Sequence, residues 1–140
     1  MRALRLARFV SLSLMLTLIG LSLINTAAFA QSQQTASQFY MKFRAAFEKA
    51  KTVDELLPYM AKENRAQIAA TPADDKAKMF EMMKMMNKLS DVKITKEEKT
   101  AAGATLTVTG VDADKKKVNG SVDVVKEEGE WKIGKESWRS

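Results

Sequence analysis

Methionine forms the densest cluster of chemically distinctive residues in this chain. Nine methionines occur among 140 residues, and five of them fall between positions 79 and 86. Met79, Met82, Met83 and Met86 follow the spacing i, i+3, i+4, i+7, which favours one helix face. Thioether sulfur suits Cu(I), so these four residues are candidate copper ligands. The same spacing is typical of a helix packed on a core, where methionine fills irregular gaps.

Acid–base chemistry has few candidates because the chain contains neither histidine nor cysteine. Their absence excludes a Ser-His-Asp triad, a cysteine nucleophile, a His/Cys zinc site and disulfides. Tyr40 and Tyr59 could supply hydroxyls to a pocket. Asp123 alternates with Val122 and Val124, so it is expected to point away from the apolar face. We expect no catalytic residues and no cofactor, with both tyrosines as amphipathic rim residues.

The charge distribution gives no sign of a nucleic-acid partner. Residues 31–90 hold 10 basic and 7 acidic side chains, and residues 91–140 hold 10 of each. The lysines at 115–117 follow Asp112 and Asp114, so the local charge nearly cancels. The glycines are isolated rather than grouped in a phosphate-binding loop. We therefore expect no nucleic-acid binding.

The first thirty residues have the pattern of a cleaved secretory signal peptide. Three arginines precede an apolar stretch over 9–24, and no acidic residue occurs before Gln31. Ala28 and Ala30 are small residues of the kind that signal peptidase recognises, so cleavage is expected between Ala30 and Gln31. An uncleaved membrane anchor is the alternative. The pattern predicts export to the periplasm or the extracellular space, with membrane contact only through the signal peptide before cleavage.

The remaining chain is predicted to be a short polar lead over 31–34 and one domain over 35–140. Residues 35–90 have helical periodicity and residues 91–140 have strand periodicity. In the first helix, expected over 35–50, three phenylalanines recur at every fourth position. Such a stripe is a large apolar surface that is buried most simply against a sheet.

Two sequence signals for helix starts divide the remainder of residues 35–90 into shorter helical segments. Thr52 begins a sequence with capping-box spacing, and Pro58 should end or kink the short helix that follows. A further segment spans 59–70. Thr71, followed by proline, predicts the start of a last helix that reaches about position 88.

From position 91 apolar residues recur at every second position, which is the pattern of strands that bury one face. Four such runs are separated by short turn sequences, which predicts a four-stranded antiparallel meander. Trp138 is out of phase with Trp131 and Ile133. This indicates either a β-bulge or a Trp138 side chain on the opposite face.

Helices followed by a meander define an α+β layout. Residues 39–43, 52–59 and 128–133 resemble segments of small secreted domains of the nuclear transport factor 2-like superfamily, and the resemblance spans roughly residues 35–138. It implies three or four N-terminal helices packed on a curved four-stranded antiparallel β-meander, a cone that often surrounds a pocket. The superfamily contains enzymes as well as binding modules, so an isomerase- or dehydratase-like enzyme is an alternative. Such domains often dimerise through the sheet, and an outward-facing Trp138 would fit a homodimer.

These features together predict an exported, non-catalytic binding or accessory domain. Its partner would be a small apolar ligand or another protein. The expected site is an apolar pocket between the helices and the sheet, lined by Phe39, Tyr40, Phe43, Phe47, Tyr59, Met83, Trp131 and Ile133.

Overall fold

Helix α1 opens the part of the chain that the structure describes. The computed structural model describes residues 34–140, and the predicted cleavage site between Ala30 and Gln31 lies outside them. Helix α1 spans Ala36–Lys49. Thr35 Oγ1 accepts the backbone N–H of Gln38 at 3.1 Å, and the Gln38 side chain accepts that of Thr35 at 3.0 Å. This capping box satisfies two amides that a helix start leaves free.

Three further helical elements follow α1. A 3-10 helix spans Val53–Tyr59, α2 spans Lys62–Ala70 and α3 spans Ala73–Met86. The capping box expected at Thr52 is absent, since the Thr52 side chain makes no capping hydrogen bond. Helix α3 begins one residue later than predicted, with Pro72 rather than Thr71 at its N-cap.

Four antiparallel strands complete the fold in the order β1-β2-β3-β4. They span Ser90–Lys99, Gly103–Val111, Lys117–Glu127 and Glu130–Arg139. The predicted α+β class, with helices first and a four-stranded antiparallel meander after them, is confirmed. The chain divides into a helical half and a strand half because the spacing of its apolar residues changes from helical to alternating at the start of β1.

A β-bulge in β4 decides which of its side chains face the core. Val124 lies opposite Ile133, whereas Asp123 lies opposite Lys135, so Gly134 is an extra residue in β4. A bulge of one residue moves every later side chain of its strand to the other face of the sheet.

The bulge resolves the two alternatives for Trp138. Glu136 pairs with Val122 and Trp138 pairs with Gly120. Val122 is fully buried, and residues directly opposite each other share a face. Glu136 and Trp138 therefore both face the core side. Trp138 packs against the core, so it does not lie on the outer face that a dimer through the sheet would use.

The free edge of β4 is covered by the segment between the 3-10 helix and α2. Met60 forms a parallel bridge with Ile133, and the Ala61 N–H donates to the Ile133 carbonyl at 2.9 Å. The Asn64 side-chain amide donates to the carbonyls of Ile133 and Gly134 at 3.1 and 2.8 Å. These bonds satisfy backbone groups that an edge strand otherwise exposes, and they fix the 3-10 helix beside the start of β4.

The core fills the space between α1 and the inner face of the sheet. Helix α1 contributes its whole aromatic stripe, and β2 and β3 contribute alternating aliphatic side chains. The largest fully buried side chains are Tyr40, Val53, Leu56, Leu106, Val108, Val122 and Val124.

Candidate functional site

A cleft of about 430 Å³ opens beside the β3–β4 turn, where α1 and the 3-10 helix meet the sheet. Its volume lies within the range of roughly 300–1,000 Å³ that small-molecule sites occupy. Its lining combines three aromatic side chains with three lysines, and we call it the aromatic–lysine cleft. These six residues are Phe39, Tyr59, Trp131, Lys42, Lys126 and Lys132, and the remaining lining residues are Gln34, Pro58, Gly129 and Glu130.

Two of the aromatic walls are held by packing. The rings of Phe39 and Tyr59 lie 6.2 Å apart, and Tyr59 lies 6.0 Å from Phe43 in the core behind them. Tilted aromatic pairs at this separation attract each other beyond the area that they bury. Phe39 belongs to the buried stripe of α1, whereas Tyr59 ends the 3-10 helix and is only half-buried. The Tyr59 ring is therefore fixed on one side and faces the cleft on the other.

The third wall, Trp131, is positioned by a tight hairpin turn. Glu128 and Gly129 connect β3 to β4 with φ angles of 52° and 82°. Two positive φ angles are what a two-residue hairpin turn needs to follow the twist of its strands. The Trp131 indole N–H donates to the Gln34 carbonyl at 2.6 Å, and the Lys126 Nζ lies 4.8 Å from the ring centroid.

The charge in the cleft is positive. Lys132 Nζ donates to the Pro58 carbonyl and to Glu130, each at 2.8 Å. The hydrogen bond and charge of Lys132 hold the pKa of Glu130 below its usual value, so this pair is neutral overall. Lys42 and Lys126 form no salt bridge with any residue in 34–140. Two ammonium groups in the cleft are therefore uncompensated.

A second polar cluster lies inside the fold, around the Glu136 carboxylate. Glu136 Oε1 accepts the Tyr40 hydroxyl at 2.9 Å and the Trp138 indole N–H at 2.7 Å. Arg44 Nη1 lies 3.7 Å from the same oxygen, and the exposed fractions of the Arg44 and Glu136 side chains are 4% and 16%. Arg44 Nη2 also donates to the Asn87 carbonyl at 3.3 Å. We call these residues the Glu136 network.

The Glu136 network ties α1 to the last strand, and none of its residues lines the cleft. Burial, reinforced by the negative charge of Glu136, raises the pKa of Tyr40 far above its usual value. The phenol therefore stays protonated and acts as a hydrogen-bond donor. Tyr40 is fully buried, so this donor serves the packing of the fold.

Replacing Tyr40 with phenylalanine should change how stability depends on pH. Above pH 10, the usual pKa of tyrosine, the unfolded chain releases the phenolic proton while the folded protein keeps it. The contribution of Tyr40 is therefore complete below pH 10 and is lost as pH rises. Between pH 9 and 11 the original protein should lose about 1.4 kcal/mol more unfolding free energy than Tyr40→Phe. Urea unfolding across this range measures the difference, and parallel curves would contradict it.

The structure divides the predicted pocket residues between two places. Phe39, Tyr59 and Trp131 line the aromatic–lysine cleft. The other five belong to the core or pack against it, and these are Tyr40, Phe43, Phe47, Ile133 and Met83.

The four candidate copper ligands do not share one environment. Met79 and Met83 pack against the core, whereas the exposed fractions of Met82 and Met86 are 57% and 73%. The inner stripe of α3 is centred on the buried Phe80 and includes Met79 and Met83 at its border. All four lie in α3 but differ in burial, and Cu(I) binding by their thioethers stays a prediction.

Comparisons with known proteins add no assignment, since no protein-family model, curated protein or solved structure matches this chain significantly. Within residues 34–140, no helix is long and apolar enough to cross a membrane. The same part of the chain holds no group of three or more acidic side chains placed to bind a metal ion. The functional proposal therefore depends on the cleft and its chemistry.

Proposed function

We propose that this chain is an exported, non-catalytic binding domain and that its ligand site is the aromatic–lysine cleft. The observation that carries the proposal is the convergence of three aromatic and three lysine side chains on one cleft of about 430 Å³. Ligand sites typically combine apolar walls with a few polar groups that orient the ligand. Here the walls come from α1, the 3-10 helix and β4, and the polar groups are ammonium ions.

The surroundings of the candidate acids and bases support a non-catalytic role. The one carboxylate in the cleft lining, Glu130, is held by Lys132. The hydrogen-bonded pair of Tyr40 and Glu136 lies on the core side of the sheet, where two hydrogen-bond donors and the Arg44 guanidinium surround the carboxylate. A general base needs access to a substrate proton, and Tyr40 is fully buried.

Export and family membership are parts of the same proposal. Export is supported by the basic, apolar and small-residue order of positions 1–30. Membership of the nuclear transport factor 2-like superfamily is supported by the order of helices followed by a four-stranded antiparallel meander. A binding role is compatible with that superfamily, because its fold serves many functions.

Native mass spectrometry of the protein from the exported fraction of its own host tests the proposal. We expect a mass that begins at Gln31 and carries a retained small molecule. Trp131→Ala should lose the extra mass because it removes one wall of the cleft. Lys116→Gln is the matched control, since Lys116 is exposed in the turn between β2 and β3 at the opposite end of the sheet.

Two outcomes would contradict the proposal. A mass that still begins at Met1 would contradict export of a cleaved domain. Retained mass that survives Trp131→Ala would place the ligand site away from the cleft.

A further inference from the structure

We infer that the aromatic–lysine cleft selects planar organic anions, of which aromatic carboxylates are the simplest class. This inference rests on the proposed function and adds the charge and shape of the ligand. Lys42 and Lys126 supply two ammonium groups without a carboxylate partner in residues 34–140. They lie in the same lining as the rings of Phe39, Tyr59 and Trp131.

Positive charge distinguishes this cleft from the cavity beside it. A neighbouring cavity shares Pro58, Glu130 and Lys132 with it, but the lining of that cavity includes four acidic and three basic side chains. One pair of these, Arg65 and Glu127, forms a salt bridge at 3.3 Å. The neighbouring cavity therefore has nearly balanced charge, whereas the aromatic–lysine cleft has three basic side chains and one acidic side chain.

The arrangement disfavours a cationic ligand, which is the usual occupant of an aromatic cage. The Lys126 ammonium already lies over the Trp131 ring, 4.8 Å from its centroid. A cationic ligand would have to displace this ammonium and would also be repelled by Lys42. An anion instead gains attraction from both lysines and leaves the contact between Lys126 and Trp131 in place.

The aromatic walls of the cleft favour a flat ligand body. The Trp131 indole N–H is already bonded to the Gln34 carbonyl, so the indole offers a ligand mainly its carbon surface. The half-buried Tyr59, held 6.2 Å from the buried Phe39 ring, offers further ring surface. Aromatic rings pack on such surfaces in offset or edge-to-face arrangements.

Three probes with the same ring and different charge test the inference. Naphthalene-2-carboxylate, naphthalene-2-carboxamide and 2-naphthylmethylammonium carry charges of −1, 0 and +1. Binding is followed by NMR through the two indole N–H signals of the ¹⁵N-labelled exported protein. Trp131 reports on the cleft, and Trp138, whose indole is bonded to Glu136 in the interior, serves as the internal control.

We expect the carboxylate to shift the Trp131 signal saturably, to leave the Trp138 signal in place, and to bind about ten-fold or more tightly than the carboxamide. Lys42→Gln and Lys126→Gln should each weaken carboxylate binding about five-fold and leave carboxamide binding nearly unchanged. Lys116→Gln, which removes one positive charge at the far end of the sheet, should match the original protein.

The outcomes separate the inference from the proposed function. Equal binding of the three probes, or tightest binding of the ammonium, would overturn anion selectivity while leaving the cleft as the binding site. The absence of any Trp131 shift with all three probes would overturn both. Carboxylate affinity that is unchanged in both lysine variants would overturn the roles assigned to Lys42 and Lys126.

Discussion

Replacing Glu136 with alanine is expected to lower the free energy of unfolding by about 3–5 kcal/mol. The substitution leaves the Arg44 guanidinium, which is 4% exposed, without its carboxylate. It also removes the acceptor of the Tyr40 hydroxyl and of the Trp138 indole N–H. Buried polar groups that lose their partners retain the full cost of their lost hydration. Urea unfolding, followed by far-ultraviolet circular dichroism, measures the change.

Two further variants separate charge from hydrogen bonding in the Glu136 network. Glu136→Gln keeps an oxygen acceptor and removes the charge, so its loss should be smaller than that of alanine. The double variant Arg44→Met with Glu136→Leu removes both charges and should recover much of the stability. Glu81→Gln on the exposed side of α3 is the control and should change stability by less than about 0.5 kcal/mol. A Glu136→Ala protein as stable as this control would show that the network contributes nothing.

The fold class could be predicted from the sequence because the apolar period changes once, near position 91. The phenylalanine stripe of α1 and the alternation in β2 and β3 each specify an element and the face that it buries. The helix starts were predictable to within one residue. Thr52 is the N-cap of the 3-10 helix, as predicted, although its side chain makes no capping hydrogen bond. At α3 the N-cap is Pro72 rather than Thr71.

The Glu136 network could not be predicted because one residue reverses the faces of β4. Without the bulge at Gly134, Glu136 would lie on the solvent side and would look like an ordinary surface acid. Two signals were present in the sequence: the phase of Trp138 and a glycine inside a strand pattern, which often marks a bulge. The position suits glycine, since a Cβ at Gly134 would come within 3.2 Å of the Asp123 carbonyl oxygen.

The cleft was predictable only in part. Phe39, Tyr59 and Trp131 were expected to meet because aromatic residues on separate elements usually pack between helices and sheet. The lysines that give the cleft its charge come from α1, β3 and β4. Their convergence depends on the β3–β4 turn and on the covered edge of β4, and no local pattern encodes these tertiary features.

Replacing Phe47 with alanine is expected to cost about 3–5 kcal/mol and to loosen α3 from α1. The Phe47 ring lies 6.1 Å from Phe43 and 6.3 Å from Phe80, which is the buried anchor of α3. Lys84 of α3 lies over the same ring, 5.1 Å from its centroid. Its Nζ donates to the carbonyls of Phe47 and Glu48 at 2.5 and 2.9 Å, near the C-terminal end of α1. Removal of the ring would therefore leave a cavity and weaken the contact that orients Lys84.

Hydrogen exchange can locate this effect as well as measure it. In Phe47→Ala the amides of α3 should exchange faster than those of β2 and β3, because Phe80 loses its partner while the sheet keeps its ladders. Phe47→Leu retains most of the buried volume, so its loss of stability should be about half that of Phe47→Ala. Met82→Ala is the matched control on the solvent side of α3, where the side chain is 57% exposed, and it should change stability by less than about 0.5 kcal/mol.

Equal loosening of α3 and the sheet in Phe47→Ala would mean that α3 is held mainly by contacts other than the Phe47–Phe80 pair. In that case the bond from Arg44 to the Asn87 carbonyl, just beyond the end of α3, would be the attachment to examine, because it connects α3 to the Glu136 network.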